Sequence, residues 1–183
     1  ALAWLNSDDL YAPGALARVA RAFEAHPEWM WLCGRCRIVD EQGRSARSFI
    51  AAYKWFMLRP WRRWKLLLEN YLPQPAVFIR REAFERIGPL DESLVYSMDY
   101  DYWLRLAREG PLGLIEEELA CFRVHARSKT GSTIEPAFRE AHRVASRHAR
   151  AWGMPWASWI NFWLYYVRTS LIYMALNRGL GAR

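Results

Sequence analysis

Short apolar runs alternate with amphipathic helical patterns along this chain, and that alternation limits its possible folds more than any other feature. Strands are predicted near residues 1–5, 30–39, 75–79 and 114–122, and the first of these is a short apolar run typical of a buried strand. Helical patterns stand between them at about residues 13–26, 81–87 and 99–109. Such alternation is typical of an α/β fold in which helices flank a sheet.

Two longer helical patterns follow at residues 135–152 and 155–176, and they predict a helical appendage at the C-terminal side of the sheet. The apolar share of 52% and the charged share of 25% exclude an intrinsically disordered chain. The chain opens on Ala1–Leu5, inside a strand pattern and without a starting Met. We therefore expect it to begin within a longer protein.

The charge balance favours anionic partners. The 183 residues include 26 Lys and Arg against 19 Asp and Glu, a net charge of +7. Such a surface attracts nucleoside diphosphates, nucleic acid or anionic lipid. The chain also contains 11 Trp, and aromatic rings favour sugar faces and membrane interfaces.

An acidic pair directly follows the first predicted strand. Asp8 and Asp9 would lie at the carboxyl end of that strand, where open α/β sheets bind ligands. Adjacent carboxylates at such a place can hold a divalent cation. From the spacing alone, a role in capping the following helix explains them slightly better. We expect Asp9 to be an exposed residue of this turn.

Two further segments carry candidate chemistry. Asp99 falls at the start of a predicted helix and could act as a general base, and Asp101 can pair with Arg105 one turn later. Taken alone, this segment is better explained by a purely structural role, namely helix capping and a surface ion pair. His125 lies in a basic loop after the last predicted strand, where a histidine could contact a metal ion or phosphate.

Taken together, four separated segments resemble family 2 glycosyltransferases of the GT-A fold over about residues 1–135. They are WLNSDD followed by PG, QPAVFIRREAFERIGPLDESL, MDYDYWLRLAREG and FRVHARSKT. The resemblance implies a partial GT-A sheet, similar to a Rossmann fold, that lacks its N-terminal nucleotide-binding half. Residues 136–183 would then form the C-terminal helical extension.

The resemblance also assigns roles to residues. Asp9 and His125 would contact the metal, Asn6 and Asp8 the nucleotide-sugar, and Asp99 would be the catalytic base. Met98 stands where the family commonly has a glutamate before this aspartate. Gln74 and Asp101 would lie on the acceptor side.

The implied activity is an inverting transfer of a sugar from a nucleotide-diphosphate sugar to a hydroxyl acceptor, in polysaccharide or glycolipid synthesis. Mn²⁺ or Mg²⁺ would be the cofactor, and the acceptor a saccharide or a lipid-linked molecule. We expect a cytoplasmic bacterial protein, with contact at the inner face of the cell membrane as an option, and no nucleic-acid partner. The alternative is a non-catalytic basic module that binds membranes or nucleic acid.

Two segments decide between these options. Residues 53–72 interleave basic and aromatic side chains in a predicted loop and short helix, and such a mixture can rest on lipid headgroups. A mobile acceptor loop, with its aromatic rings packed on the domain and its cations in solvent, explains the segment equally well. In the last helix, a narrow polar stripe interrupts an apolar sequence at Ser158, Asn161, Tyr165 and Arg168. An interfacial helix and a helix packed on the domain both fit this pattern.

Overall fold

A computed structural model describes the backbone of residues 1–124 and 134–180, with side chains over residues 1–124 and 135–167. Its strands are β1 (Leu10–Tyr11), β2 (Trp31–Val39), β3 (Val77–Ile79) and β4 (Leu112–Arg123). They form a four-stranded sheet in the order β1-β4-β2-β3. The central pair β2 and β4 is parallel, and both outer strands run antiparallel to their neighbours.

The helices of the described residues are α1 (Ala15–Ala25), α2 (Ser48–Leu58), α3 (Arg81–Ile87), α4 (Met98–Glu109), α5 (Ile134–Ala151) and α6 (Pro155–Leu180). Short 3₁₀ helices lie at Arg63–Leu67 and Gln74–Ala76. This mixed sheet with flanking helices confirms the predicted α/β class and is consistent with a partial Rossmann-like fold.

Apolar residues of the sheet pack on both of its faces. On one face Leu32, Phe78 and Leu119 meet Val19 and Phe23 of α1. On the other face α4 and the Arg63–Leu67 segment cover the sheet. Tryptophan rings stack there, and the centre of the Trp103 ring lies 5.1 Å from that of Trp4 and 6.0 Å from that of Trp31. Helices and the segment beside them therefore cover both faces of the sheet.

A register shift in the central strand pair requires glycine. The pairing of β2 with β4 is irregular between Cys33 and Arg35. A Cβ atom at Gly34 would lie 2.4 Å from Cγ of Leu119, closer than any real contact. Gly34 therefore allows the two backbones to approach at this bulge.

Several predicted boundaries were wrong. Residues 1–5 are not a strand, since only Leu2 forms a bridge, to Ile79. This bridge lies against the outer edge of β3, whose residues are all buried. In the segment 53–72 the structure has the end of α2 instead of a loop. A two-residue strand and a mostly apolar helix carry too weak a periodicity to be read from sequence.

The last helix packs on the protein through its polar side. The side chains of Ala157 and Asn161 are buried, whereas Trp159, Phe162 and Tyr166 are exposed. No helix within residues 1–124 and 134–180 combines the length and apolarity needed to cross a bilayer.

The two C-terminal helices are antiparallel neighbours, and α5 also contacts α4 of the sheet layer. The division of the chain into a domain of residues 1–135 and an extension of residues 136–183 stays a prediction.

Candidate functional site

The acidic turn of residues 6–9 lies against the end of β4. Because β1 runs antiparallel to β4, with Leu10 opposite Cys121, the turn before β1 comes beside the last residue of β4. Oδ1 of Asp9 accepts the backbone N–H of Arg123 at 2.9 Å. Nε of Arg123 donates to the backbone carbonyl of Asp8 at 3.0 Å. The pair thus lies at the carboxyl end of β4, the edge at which open α/β sheets bind ligands.

Asn6 connects this turn to the segment before β3. Its Nδ2 donates to Oδ2 of Asp9 and to Oε1 of Gln74, both at 3.2 Å. The amide of Gln74 in turn donates to the backbone carbonyl of Trp4 at 2.6 Å. Three residues that the resemblance assigned separately, Asn6, Asp9 and Gln74, are therefore joined in one hydrogen-bonded chain.

Asp9 is buried, with 3% of its surface exposed, where we expected an exposed turn residue. Burial raises the pKa of its carboxyl group, and the neighbouring charge of Asp8 acts in the same direction. The N–H of Arg123 and the amide of Asn6 oppose the increase in pKa. Asp9 therefore also has a structural role, because its carboxylate accepts a hydrogen bond from the backbone N–H of Arg123.

A large cavity with a volume of about 1260 Å³ opens next to this chain of hydrogen bonds. Its walls come from β2, α2, the segment 69–75, the start of α4 and one side of α5. Three predicted site residues line it: Asn6, Gln74 and Asp99. The described lining does not include Asp8, Asp9 or Asp101.

Asp99 lies half-buried in the cavity wall, in the first turn of α4. Its Oδ1 accepts the N–H of Tyr100 at 2.6 Å, and Nδ2 of Asn70 lies 3.4 Å from Oδ2. Burial raises the pKa of the Asp99 carboxyl group more than these two donors and the charge of Lys54 lower it. A carboxylate with a raised pKa that faces a cavity is a suitable proton acceptor.

Asp101 occupies a different environment. It is buried, and its carboxylate pairs with Arg105 at 2.9 Å, Arg147 at 2.7 Å and His148 at 2.7 Å. Although burial raises the pKa of this carboxyl group, the bonds from His148 and Arg147 and the charge of Arg105 lower it overall. The predicted pairing with Arg105 is confirmed, but it lies in the interior, where Asp101 ties α4 to α5.

Another part of the cavity wall is basic and aromatic. Lys54 and Trp55 of α2 line the cavity, and the guanidinium of Arg35 lies 4.9 Å from the centre of the Trp55 ring. Arg59 stacks on the same ring at 5.6 Å. Half of the basic aromatic segment thus faces the cavity, which suits a ligand with negative charge and a flat apolar surface.

Two residues of the site gave no signal in the sequence. Glu140 of α5 is buried and accepts the backbone N–H groups of Val95, Tyr96 and Ser97 at 3.1, 2.6 and 2.7 Å. It thereby fixes the loop that leads into Asp99. The Oδ1 atom of Asn70 is buried and has no hydrogen-bond partner among the described residues. Neither residue belongs to a recognisable motif.

Of the two residues assigned to the metal, Asp9 and His125, the structure describes only Asp9. His125 lies outside the described residues. Within the described part of the chain, no group of three or more His, Cys, Asp or Glu side chains could hold a metal ion. The carboxylates of Asp8 and Asp9 do fit a divalent cation, because a cation would offset the burial and mutual repulsion that raise the pKa of Asp9.

No family model matches the chain. It is similar to an uncharacterized glycosyltransferase of Methanocaldococcus jannaschii, at 25% identity over 136 residues, which covers 73% of this chain and 45% of the relative. An uncharacterized glycosyltransferase of Rickettsia prowazekii is 25% identical over 142 residues, covering 72% of this chain and 42% of the relative.

The O-antigen biosynthesis protein RfbC of Myxococcus xanthus is 30% identical over 152 residues, which covers 79% of this chain and 11% of that protein. The chain thus spans less than half the length of these curated relatives. Their names support a role in glycosyl transfer in general.

Proposed function

We propose that this chain carries the acceptor side and the catalytic base of an inverting glycosyltransferase that uses a nucleotide-diphosphate sugar. One observation carries the proposal: Asn6, Gln74 and Asp99 line the same cavity although they lie far apart in sequence. The similarity to proteins named glycosyltransferases supports sugar transfer as the chemistry of that cavity. The expected products are a polysaccharide or a glycolipid.

The donor would bind at the turn of residues 6–9. Asp8 and Asp9 would hold Mn²⁺ or Mg²⁺, which supplies Lewis-acid stabilisation of the charge on a leaving diphosphate. Arg35, Lys54 and Arg59 would add positive charge from the cavity wall. Asn6 would orient the donor, since its amide already bridges Asp9 and Gln74.

In the transfer step, the acceptor hydroxyl oxygen forms a bond to the anomeric carbon while the bond from that carbon to the phosphate oxygen breaks. The nucleoside diphosphate leaves with the electron pair of the broken bond. Asp99 takes the proton of the hydroxyl, and the raised pKa of its carboxyl group favours this. A single displacement inverts the anomeric centre.

The acceptor would enter from the side of Gln74 and Asn70. The unpartnered Oδ1 of Asn70 is suited to accept a hydrogen bond from a sugar hydroxyl. Trp55 and Phe56 offer ring faces on which a saccharide can stack, and they also suit the isoprenoid-type tail of a lipid-linked acceptor.

The test is release of nucleoside diphosphate from a panel of nucleotide-sugars in the presence of Mn²⁺. We expect turnover that Asp99→Asn lowers by about 10²–10⁴-fold, because only the proton acceptor is lost. The control Asp91→Asn changes a carboxylate outside the cavity lining and should retain full turnover. Equal turnover of Asp99→Asn and the unaltered protein would exclude Asp99 as the base.

A further inference from the structure

The last helix has its polar and apolar sides reversed relative to an ordinary surface helix. Successive residues of a helix are rotated by 100°, so Ser158, Asn161 and Tyr165 share one side. That side faces the protein. The large apolar residues point away from it, and Trp159 and Tyr166 are 66% and 58% exposed. A helix that only covered a core would place these rings inward.

The inner contacts of α6 are specific hydrogen bonds, so the reversal is fixed. The Asn161 amide donates to the backbone carbonyl of Leu68 at 2.8 Å, and its Oδ1 lies 2.9 Å from Nδ1 of His142. The hydroxyls of Ser146 and Ser158 are 2.5 Å apart. Rotation of the helix to bury its rings would leave the buried Asn161 amide without partners, which is costly.

The exposed rings of α6 lie on one side of the helix, and together with Trp64 they define the aromatic surface: Trp64, Trp156, Trp159, Trp163 and Tyr166. The ring centres of Trp159 and Trp163 are 5.9 Å apart, and those of Trp163 and Tyr166 are 5.8 Å apart. At the other end Trp156 lies 6.2 Å from Trp64. Exposed apolar patches of this kind mark sites of contact with another apolar phase.

The rim of the aromatic surface is positively charged. Arg62 and Arg63 precede Trp64 directly and are exposed. The guanidinium of Arg63 lies 5.6 Å from the centre of the Trp152 ring, close to the start of α6. The sequence contains no Asp or Glu in residues 57–68 or 141–167.

We propose that the aromatic surface and its basic rim are a docking site for an anionic phospholipid bilayer, with α6 lying in the plane of the interface. Tryptophan and tyrosine rings prefer the boundary between headgroups and acyl chains, and arginines beside them contact lipid phosphates. The inner side of α6 stays on the protein. This proposal goes beyond glycosyl transfer and does not depend on it.

The charge pattern favours a bilayer over a second copy of this chain. In a symmetric dimer the same patch meets itself, so the basic rims of both copies would come together. Like charges at an interface oppose association. An anionic surface offers the complementary charge to every arginine of the rim.

The experiment is sedimentation of the complete chain with vesicles of phosphatidylcholine and phosphatidylglycerol, compared with vesicles of phosphatidylcholine alone. We expect binding to the anionic vesicles that weakens as salt rises. Arg62→Gln/Arg63→Gln should lower the partition coefficient by about 25-fold at low salt, about fivefold for each cation. Trp159→Gln/Trp163→Gln should lower it by about tenfold or more.

Leu16→Gln is the matched control, since it removes an exposed apolar residue from α1, and its binding should equal that of the unaltered chain. Circular dichroism checks that all variants fold, as is expected for exposed positions. Equal binding of the double tryptophan variant and the control overturns the proposal. So does a dimer in sedimentation equilibrium without lipid that Trp159→Gln/Trp163→Gln dissociates, because the surface then belongs to a second copy.

Discussion

The backbone N–H of Ser97 donates a hydrogen bond of 2.7 Å to Oε1 of Glu140. This bond joins α5 to the residue directly before α4. The same carboxylate also accepts the N–H groups of Val95 and Tyr96. These donors belong to the loop before α4, so a residue of α5 holds the backbone that leads into Asp99. The C-terminal helices therefore contribute to the candidate site, and they do so through buried charge.

This relationship predicts a large effect of a small change. Glu140→Gln should lower the free energy of unfolding by about 2–3 kcal/mol, because an amide replaces charge-assisted bonds and turns a donor toward backbone donors. Urea unfolding measures it. Glu135→Gln on the same helix removes a carboxylate that is 63% exposed and paired with Arg139, and it should cost less than about 1 kcal/mol. A similar loss of unfolding free energy in both variants would show that Glu140 does not hold the loop before α4.

The buried ion pairs of Asp101 predict a pH dependence of stability. The pKa of this carboxyl group is lower in the folded protein than in the unfolded chain. Its contribution is therefore fully present above the unfolded value of about 3.9 and is lost as pH falls through the folded pKa. The difference in unfolding free energy between the unaltered protein and Asp101→Asn should therefore shrink as the pH falls below about 4. A difference that does not change with acidification contradicts this.

The environment of Asp99 predicts the acid limb of the activity profile. Burial raises the pKa of the Asp99 carboxyl group. As the pH decreases, turnover should therefore begin to fall at a higher pH than the pKa of an ordinary aspartate would give. Asn70 donates toward this carboxylate and lowers its pKa, so Asn70→Ala should move the acid limb to higher pH. Gln74→Ala lines the same cavity and should leave the position of the limb unchanged. Rates measured across pH for both variants decide the matter.

The acidic turn predicts separate effects on fold and on metal dependence. Asp9→Ala should cost about 1–3 kcal/mol of stability, because the Arg123 N–H loses its buried acceptor. Asp9→Asn keeps an acceptor oxygen and should lose less stability, but the Mn²⁺ concentration needed for half-maximal turnover should rise strongly. Removal of the metal with EDTA should stop turnover of the unaltered protein. Turnover that persists in EDTA would argue against a metal at this turn.

Much of the fold could be predicted because its long elements have clear periods. The strands at Trp31–Val39 and Leu112–Arg123 and the helix at Met98–Glu109 lie close to their predicted bounds. The short strand Leu10–Tyr11 could not be predicted, since two residues carry no pattern and their pairing depends on a partner far along the chain.

The candidate site shows the same division. Asn6, Gln74 and Asp99 stand in recognisable motifs, and the structure brings them to one cavity. The burial of Asp9 and the network of Asp101 depend on Arg123, Arg147 and His148, which tertiary packing alone supplies. The sequence also could not show which side of α6 packs on the protein, because a polar stripe in an apolar helix can face either solvent or protein.

The bond between Asp9 and Arg123 has a consequence for how the protein is made. These residues are 114 positions apart, so the acidic turn emerges from the ribosome long before its partner strand is synthesised. Until then the strand Leu10–Tyr11 has no neighbour to pair with, and both carboxylates remain in water. Closing so long a loop is entropically costly and is a late event in folding. Nascent chains stalled before residue 112 should therefore leave the turn open to proteases, and chains released after β4 should protect it.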